Sequence, residues 1–243
     1  MADQERGLGD AMLRPVRGHH AFESCVEQLA TAIRLGAYEH GSMLPPEREL
    51  AERMAVSRAT LREAIAALRA AGFVTTRRGR GGGTVVGFQP EAPGSSVTLD
   101  RPREDLVDSL DFRRIVEPGA AYAAAGKKLT EPQKKALRDA LDAVNTETDP
   151  ARHRQVDSLF HLAIASLSAS PLLIDAVTNV QKSLHDMLNA IPVLDRNIDH
   201  SRQQHSAIAK AVLAGNPAAA RRAMERHCDD TAALLRGLLR EGH

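Results

Sequence analysis

Tryptophan is absent, cysteine occurs twice, and aromatic residues make up only 3% of the 243 positions. With alanine and leucine plentiful, this composition argues for helices and against a β-sandwich or barrel. Cys25 and Cys228 lie far apart and form no CxxC pair, which excludes a disulfide scaffold and a zinc finger. No apolar run reaches the roughly 18 residues of a membrane span. The opening residues MADQERGLGD carry no apolar h-region, so the expectation is a cytoplasmic protein without a signal peptide. Charge of one sign is also missing overall, the net value being +1. What is present, 43% hydrophobic and 26% charged residues, is the composition of a globular chain, long enough for one large or two ordinary domains.

The near-zero net charge hides a local imbalance. Between Glu47 and Arg80 stand eight arginines (Arg48, Arg53, Arg58, Arg62, Arg69, Arg77, Arg78, Arg80) against four glutamates, a surplus of +4. A neutral chain with one arginine-rich segment points to a polyanion partner for that segment alone.

Residues 1–20 are polar, glycine-rich and without periodicity, and are expected to form a flexible tail. Phe22, Val26, Leu29 and Ile33 follow helical spacing, closed by Gly36. Pro45-Pro46 opens a second helix, and Ser57 caps a third that runs from about Arg58 to Ala71 and stops at Gly72. The run FVTTRRGRGGGTVV then reads as a hairpin around a glycine-rich turn. Residues 88–103, with three prolines, two serines and a glycine, have the composition of a linker. From about 104 to 240 the amphipathic stretches are helical, giving an antiparallel all-helical bundle of six or seven helices, since the Pro102–Glu117 region reads as one helix or two. The expected fold is mainly α, an N-terminal winged helix-turn-helix over 21–87 followed by this bundle.

Two helices joined by a short turn, the second rich in arginine, make a helix-turn-helix whose second helix fits the DNA major groove. Its first turn offers Ser57, Arg58, Thr60 and Arg62, while Leu61, Ile65 and Leu68 form the opposite, buried stripe. Ser57, Thr60 and the helix N-terminus suit phosphates. Arg77, Arg78 and Arg80 around Gly79 suit a wing on the DNA backbone or in the minor groove. The competing reading is a solvated helix face with salt bridges to Glu49, Glu52 and Glu63.

The run LPPERELAERMAVSRATLREAIAALRAAGFV, residues 44–74, resembles the winged helix-turn-helix of the GntR family of bacterial transcription regulators. The resemblance implies DNA contacts by Arg48, Ser57, Arg58, Thr60, Arg62, Arg78 and Gly79. Pro46 and Ala59 depart from the usual family residues.

Six of the ten histidines lie between His153 and His227. Asp157 and His161 stand at i,i+4 on one helix, and His205 and His227 lie on two later ones. One carboxylate with three imidazoles suits a divalent ion such as Zn, Ni, Mn or Fe. The competing reading is of ordinary helix histidines, buried and hydrogen-bonded. His153, His185 and His200 have no assigned role.

The patterns DSLFHLAIASLSASPLL and HSAIAKAVLAGNPAAARRAMERH are similar to the FCD effector domain of the FadR-like branch of this family. The resemblance implies that Asp157, His161, His205 and His227 bind a metal ion, and that Arg113, in an R-x-x-x-E with Glu117, pairs with the effector carboxylate. It further implies a homodimer on a palindromic double-stranded DNA operator and a small carboxylate effector. The simplest expectation is a repressor released by its ligand; ligand-enhanced binding is the other sign. Arg113→Ala is expected to fold normally and lose the response. The rival readings are an architectural DNA-binding dimer without effector and a metal-dependent hydrolase. Neither an HExxH motif nor a convincing general base supports the enzyme.

Overall fold

The computed structural model describes residues 21–79, 81–90, 103–189 and 195–238. The predicted tail 1–20, Arg80 of the wing and most of the predicted linker lie outside the described residues. The chain divides into two compact units, Met1–Pro90 and Glu91–His243.

In the first unit α1 (Ala21–Arg34), α2 (Glu47–Arg53) and α3 (Arg58–Ala70) precede a hairpin of β1 (Val74–Arg77) and β2 (Gly83–Val86). The strands pair antiparallel from Val74 opposite Val86 to Arg77 opposite Gly83. Leu29, Ile33, Leu50, Met54, Leu61, Ile65 and Leu68 close one apolar core with Val74 and Val86. Ser57 caps α3 by accepting from Thr60 N at 3.0 Å. Gly72, at φ +79°, reverses the chain into β1, a conformation that costs any other residue strain.

The second unit is a helical bundle, as its periodicity predicts: α4 (Arg103–Ala125), α5 (Glu131–Thr146), α6 (Pro150–Leu167), α7 (Pro171–Asn189), α8 (Asp195–Leu213) and α9 (Pro217–Leu238). The Pro102–Glu117 ambiguity resolves to one helix, which runs through Pro118 despite the N–H that proline lacks. The starts of α5 and α6 follow from local chemistry. Thr130 and Gln133 form a capping box, and Asp149 accepts from Ala151 N and Arg152 N. Asn216 accepts from Ala219 N at 3.1 Å to open α9.

Helix α4 packs against α6, α7, α8 and α9 and so forms the spine of the bundle. Two apolar layers pack on its inner face, one with Ala121, Ala124, Phe160, Ile164, Ile208 and Met224, the other with Leu106, Leu110, Leu184, Met187 and Leu235. Of the apolar positions read along α4, Leu106, Leu110 and Ala121 are buried, whereas Ile115 is 71% exposed. No helix of the described residues is long and apolar enough to cross a membrane.

Candidate DNA-binding surface and effector site

The exposed face of α2 and α3 carries Arg48, Ser57, Arg58 and Arg62, and Thr60 is half-buried beside them. Ser57 Oγ lies 2.9 Å from Thr60 Oγ1. Arg48 donates to Glu52 at 3.0 Å, Arg62 Nε to Glu47 at 2.8 Å, and Arg53 to Glu49. The salt bridges of the solvated-face reading therefore exist, with Glu47 in place of Glu63. They are weak, since the side chains of Arg48 and Arg62 are 67% and 68% exposed and such pairs contribute about 0–1 kcal/mol. A phosphate can take either arginine from its glutamate. Arg58 makes no hydrogen bond or ion pair with the described residues. Arg78 and Gly79 occupy the exposed turn of the hairpin, with Gly79 at φ +103°.

In the bundle, α6, α8 and α9 bring His161, His205 and His227 together. One ring nitrogen of each lies within 4.8 Å of the others, and all three residues are at most 2% exposed. The rings of His161 and His227 stack at 5.0 Å, and His205 sits 4.7 Å from His227 and 4.6 Å from Phe160. Asp157 approaches this group from α6, its Oδ1 3.5 Å from His205 Nε2.

The imidazoles are oriented from behind. His161 Nδ1 lies 2.9 Å from Glu117 Oε2 and His227 Nδ1 lies 3.0 Å from Gln204 Oε1. The Gln204 acceptor at His227 Nδ1 keeps the proton there and leaves Nε2 of His227 with its lone pair. Both ring nitrogens of His161, Nε2 of His227 and Nδ1 of His205 are buried without a hydrogen-bond partner. Burial pushes His205 down to about 3, against the pull of Asp157, and pushes His227 well below its usual range. His205 and His227 are therefore neutral at pH 7, the form that ligates a metal. Burial pushes Asp157 up, but His205 and His161 hold it below the usual carboxylate value. The donor set therefore fits a divalent cation: neutral nitrogens without partners, and a carboxylate held ionised beside them.

Arg113 and Glu117 stand one turn apart on α4, each 1% exposed. Arg113 Nε donates to Glu117 Oε1 at 3.2 Å, and Gln181 Nε2 donates to the same oxygen at 2.6 Å. Cys228 Sγ reaches Glu117 Oε2 at 3.7 Å. Glu117 stays ionised because Arg113 and His161 outweigh its burial. Both terminal nitrogens of Arg113 are buried without a partner. Arg113, Asp157 and His227 line one pocket with His153, Arg154 and Ser201, enclosing about 370 Å³ with its open mouth included.

Residues 22–86 match the model of the bacterial regulatory proteins of the gntR family, and residues 108–230 match the FCD domain. The chain is 31% identical to the HTH-type transcriptional regulator LutR of Bacillus subtilis (strain 168) over 86% of this chain and 98% of that protein. This chain belongs to the GntR family of transcriptional regulators and carries an FCD domain. The Glc operon transcriptional activator of Escherichia coli (strain K12) is 32% identical over 91% of both chains. Among solved structures, E. coli McbR/YncC has the same fold at 18% identity, with a TM-score of 0.55, covering 90% of this chain and 98% of that one. A GntR regulator is not an enzyme, which removes the hydrolase reading; its helix-turn-helix implies DNA binding, and an FCD domain implies a small-molecule effector.

Of the residues singled out in the sequence, the structure brings His161, His205 and His227 into one cluster with Asp157 at its edge. It places Arg113 against Glu117 and on the same pocket. His200 is exposed and paired with Asp230 at 3.0 Å, and it reaches the cluster only through Gln204, 3.1 Å from its Nε2. Sequence reasoning missed Gln204 and Gln181, which hold His227 and Glu117, and missed Glu117 as the partner of His161. It also left out His153 and Arg154, which line the pocket. The i,i+4 spacing from Arg113 already pointed to Glu117. No spacing pointed to Gln204 or Gln181, because their partners lie on other helices. Burial also revises one expectation: Arg113→Ala would leave the Glu117 carboxylate buried without its counter-ion, and is not a silent substitution for folding.

Proposed function

We propose that this chain is a ligand-responsive regulator, most simply a repressor, that binds a palindromic operator as a homodimer. Its effector is a small organic acid, sensed where Asp157, His161, His205 and His227 hold a divalent ion such as Zn, Ni or Mn. The proposed organisation is a tail over 1–20, a DNA-binding domain over 21–87, a linker over 88–103 and an effector and dimerisation domain over 104–240. The observation that carries the reading is the pair of unpartnered Arg113 nitrogens on the same pocket as His227 and Asp157. A buried guanidinium fork with two free donors matches a carboxylate in both shape and charge. A bound ion would offer open positions to the same carboxylate. Glu117 holds Nε of the guanidinium and leaves the terminal nitrogens for the ligand. The limited pocket volume suits a small acid over an acyl chain.

The ligand shifts DNA affinity only by its preference between two states of the bundle. Repression is the simpler sign, although one similar protein is named an activator.

Arg113→Lys tests the effector role without stranding Glu117, because the lysine ammonium keeps the charge. The variant is expected to melt within a few degrees of wild type and to bind operator normally. Its ligand response should weaken about tenfold or more, since a point charge cannot replace a fork. Operator recovered from sheared genomic DNA and titrated by fluorescence anisotropy with and without small carboxylates reads this out. An unchanged response in Arg113→Lys removes Arg113 from the site, and no enriched palindrome removes the specific operator.

On the DNA side, Arg58→Ala is expected to cost about 1–3 kcal/mol and to relax specificity at one operator position. Arg58 heads α3, faces solvent and has no intramolecular partner among the described residues. An unchanged ratio of operator to random-DNA affinity would reassign it to the phosphate backbone.

A further inference from the structure

Helix α4 presents an apolar stripe that nothing in the bundle covers. Phe112 is 44% exposed, Ile115 71% and Tyr122 51%. Gly119 completes the series 112, 115, 119, 122, the 3-4-3 spacing of a helix seam. A Cβ added at Gly119 would meet nothing within 4 Å. Glycine inside an exposed helix is unfavourable against alanine, so a helical interior retains it at a cost unless another backbone or side chain approaches closely there. The ends of the stripe carry opposite charges. Asp105 and Asp108 are exposed at its start, Lys127 and Lys128 just past its end, and none of the four forms an ion pair with the described residues.

We infer that this face is the two-fold seam of the proposed homodimer, with α4 packed antiparallel on α4 of a second copy. The residue sizes select the register. A two-fold axis level with residue 117 sets Phe112 against Tyr122 of the second copy and Ile115 into the notch at Gly119 of the second copy. The same axis brings Asp105 and Asp108 to the Lys127-Lys128 end of the other helix. One surface thus supplies large against small, ring against ring and acid against base, the self-complementarity of an isologous contact. A parallel pairing would place acids on acids. Because α4 also carries Arg113 and Glu117 on its buried side, the seam lies one helix thickness from the effector pocket.

The seam rests on the proposed dimer, and the test separates the two. Phe112 and Tyr122 of one chain are ten residues apart, about 15 Å along a helix, beyond the reach of a disulfide. The double variant Phe112→Cys/Tyr122→Cys is therefore expected to form a covalent dimer on mild oxidation, and each single variant is not. Gly119→Leu raises helix propensity, so misfolding does not account for any dissociation it causes; it is expected to weaken self-association at least 100-fold by sedimentation. Ile115→Glu should do the same, with unchanged helical circular dichroism. A monomeric wild-type protein at micromolar concentration overturns the dimer and the seam together. A dimeric wild type whose Gly119→Leu and Ile115→Glu variants remain dimeric, without a 112–122 crosslink, overturns the seam alone and moves the contact to another face, the DNA-binding unit included. Crosslinking by the Phe112→Cys single variant overturns the antiparallel register.

Discussion

Arg113→Ala is expected to destabilise the helical unit by about 3–5 kcal/mol, the usual cost of removing one partner of a buried ion pair. Glu117 would keep its charge in a site 1% exposed, with Gln181, His161 and Cys228 as its remaining neighbours. For a unit of this size that corresponds to a fall in melting temperature on the order of 10 °C. The double variant Arg113→Met/Glu117→Leu should recover only part of the loss. An apolar pair can replace an ion pair at little cost, but here Gln181 and Cys228 would lose their acceptor. Calorimetry of the two variants and of Arg113→Lys reads the series. A melting temperature for Arg113→Ala within 2 °C of wild type would show that the pair is not structurally important.

The second large effect concerns metal content. Dialysed protein is expected to retain about one divalent ion per chain, and His205→Ala/His227→Ala to retain almost none, measured by elemental analysis. The prediction follows from three buried nitrogens without partners on three different helices. An ion held by all three stabilises only the folded state, so a chelator should lower the melting temperature of the wild type and leave that of the double variant unchanged. Metal content that is equal in the two proteins would remove the site.

Acid should act on the same cluster. In the metal-free protein, burial holds His205 at about 3 and His227 well below its usual value, whereas in the unfolded chain both titrate near 6.5. The unfolded state therefore binds more protons as pH falls below about 6.5, and the protein loses stability from there downward. Glu117 and Asp157, both held low, add to the loss once pH falls through the ordinary carboxylate range near 4. Melting temperature against pH should slope upward to about 6.5, and less steeply in His205→Ala. A flat profile between pH 4 and 6.5 would contradict neutral burial of the histidines.

Local chemistry made the DNA-binding unit legible in the sequence. Ser57 as a cap, Gly72 as a stop, the apolar stripe of α3 and the glycine-rich hairpin each act over a few residues, and all appear where their spacing places them. The helical character of 104–240 was legible for the same reason. A helix-period pattern alone did not say which apolar residues would be covered. Ile115 reads like Leu110 along the chain, yet one faces solvent and the other the core, because α4 is enclosed on one side only. The convergence of His161, His205 and His227 also came only with the tertiary structure. Their spacings of 44 and 22 residues carry no distance information until three helices pack together. Glu117 as anchor of both Arg113 and His161, and Gln204 as support of His227, were decided at that level too. Interactions within one helix turn are written in the local sequence, whereas contacts between helices depend on how the whole bundle closes.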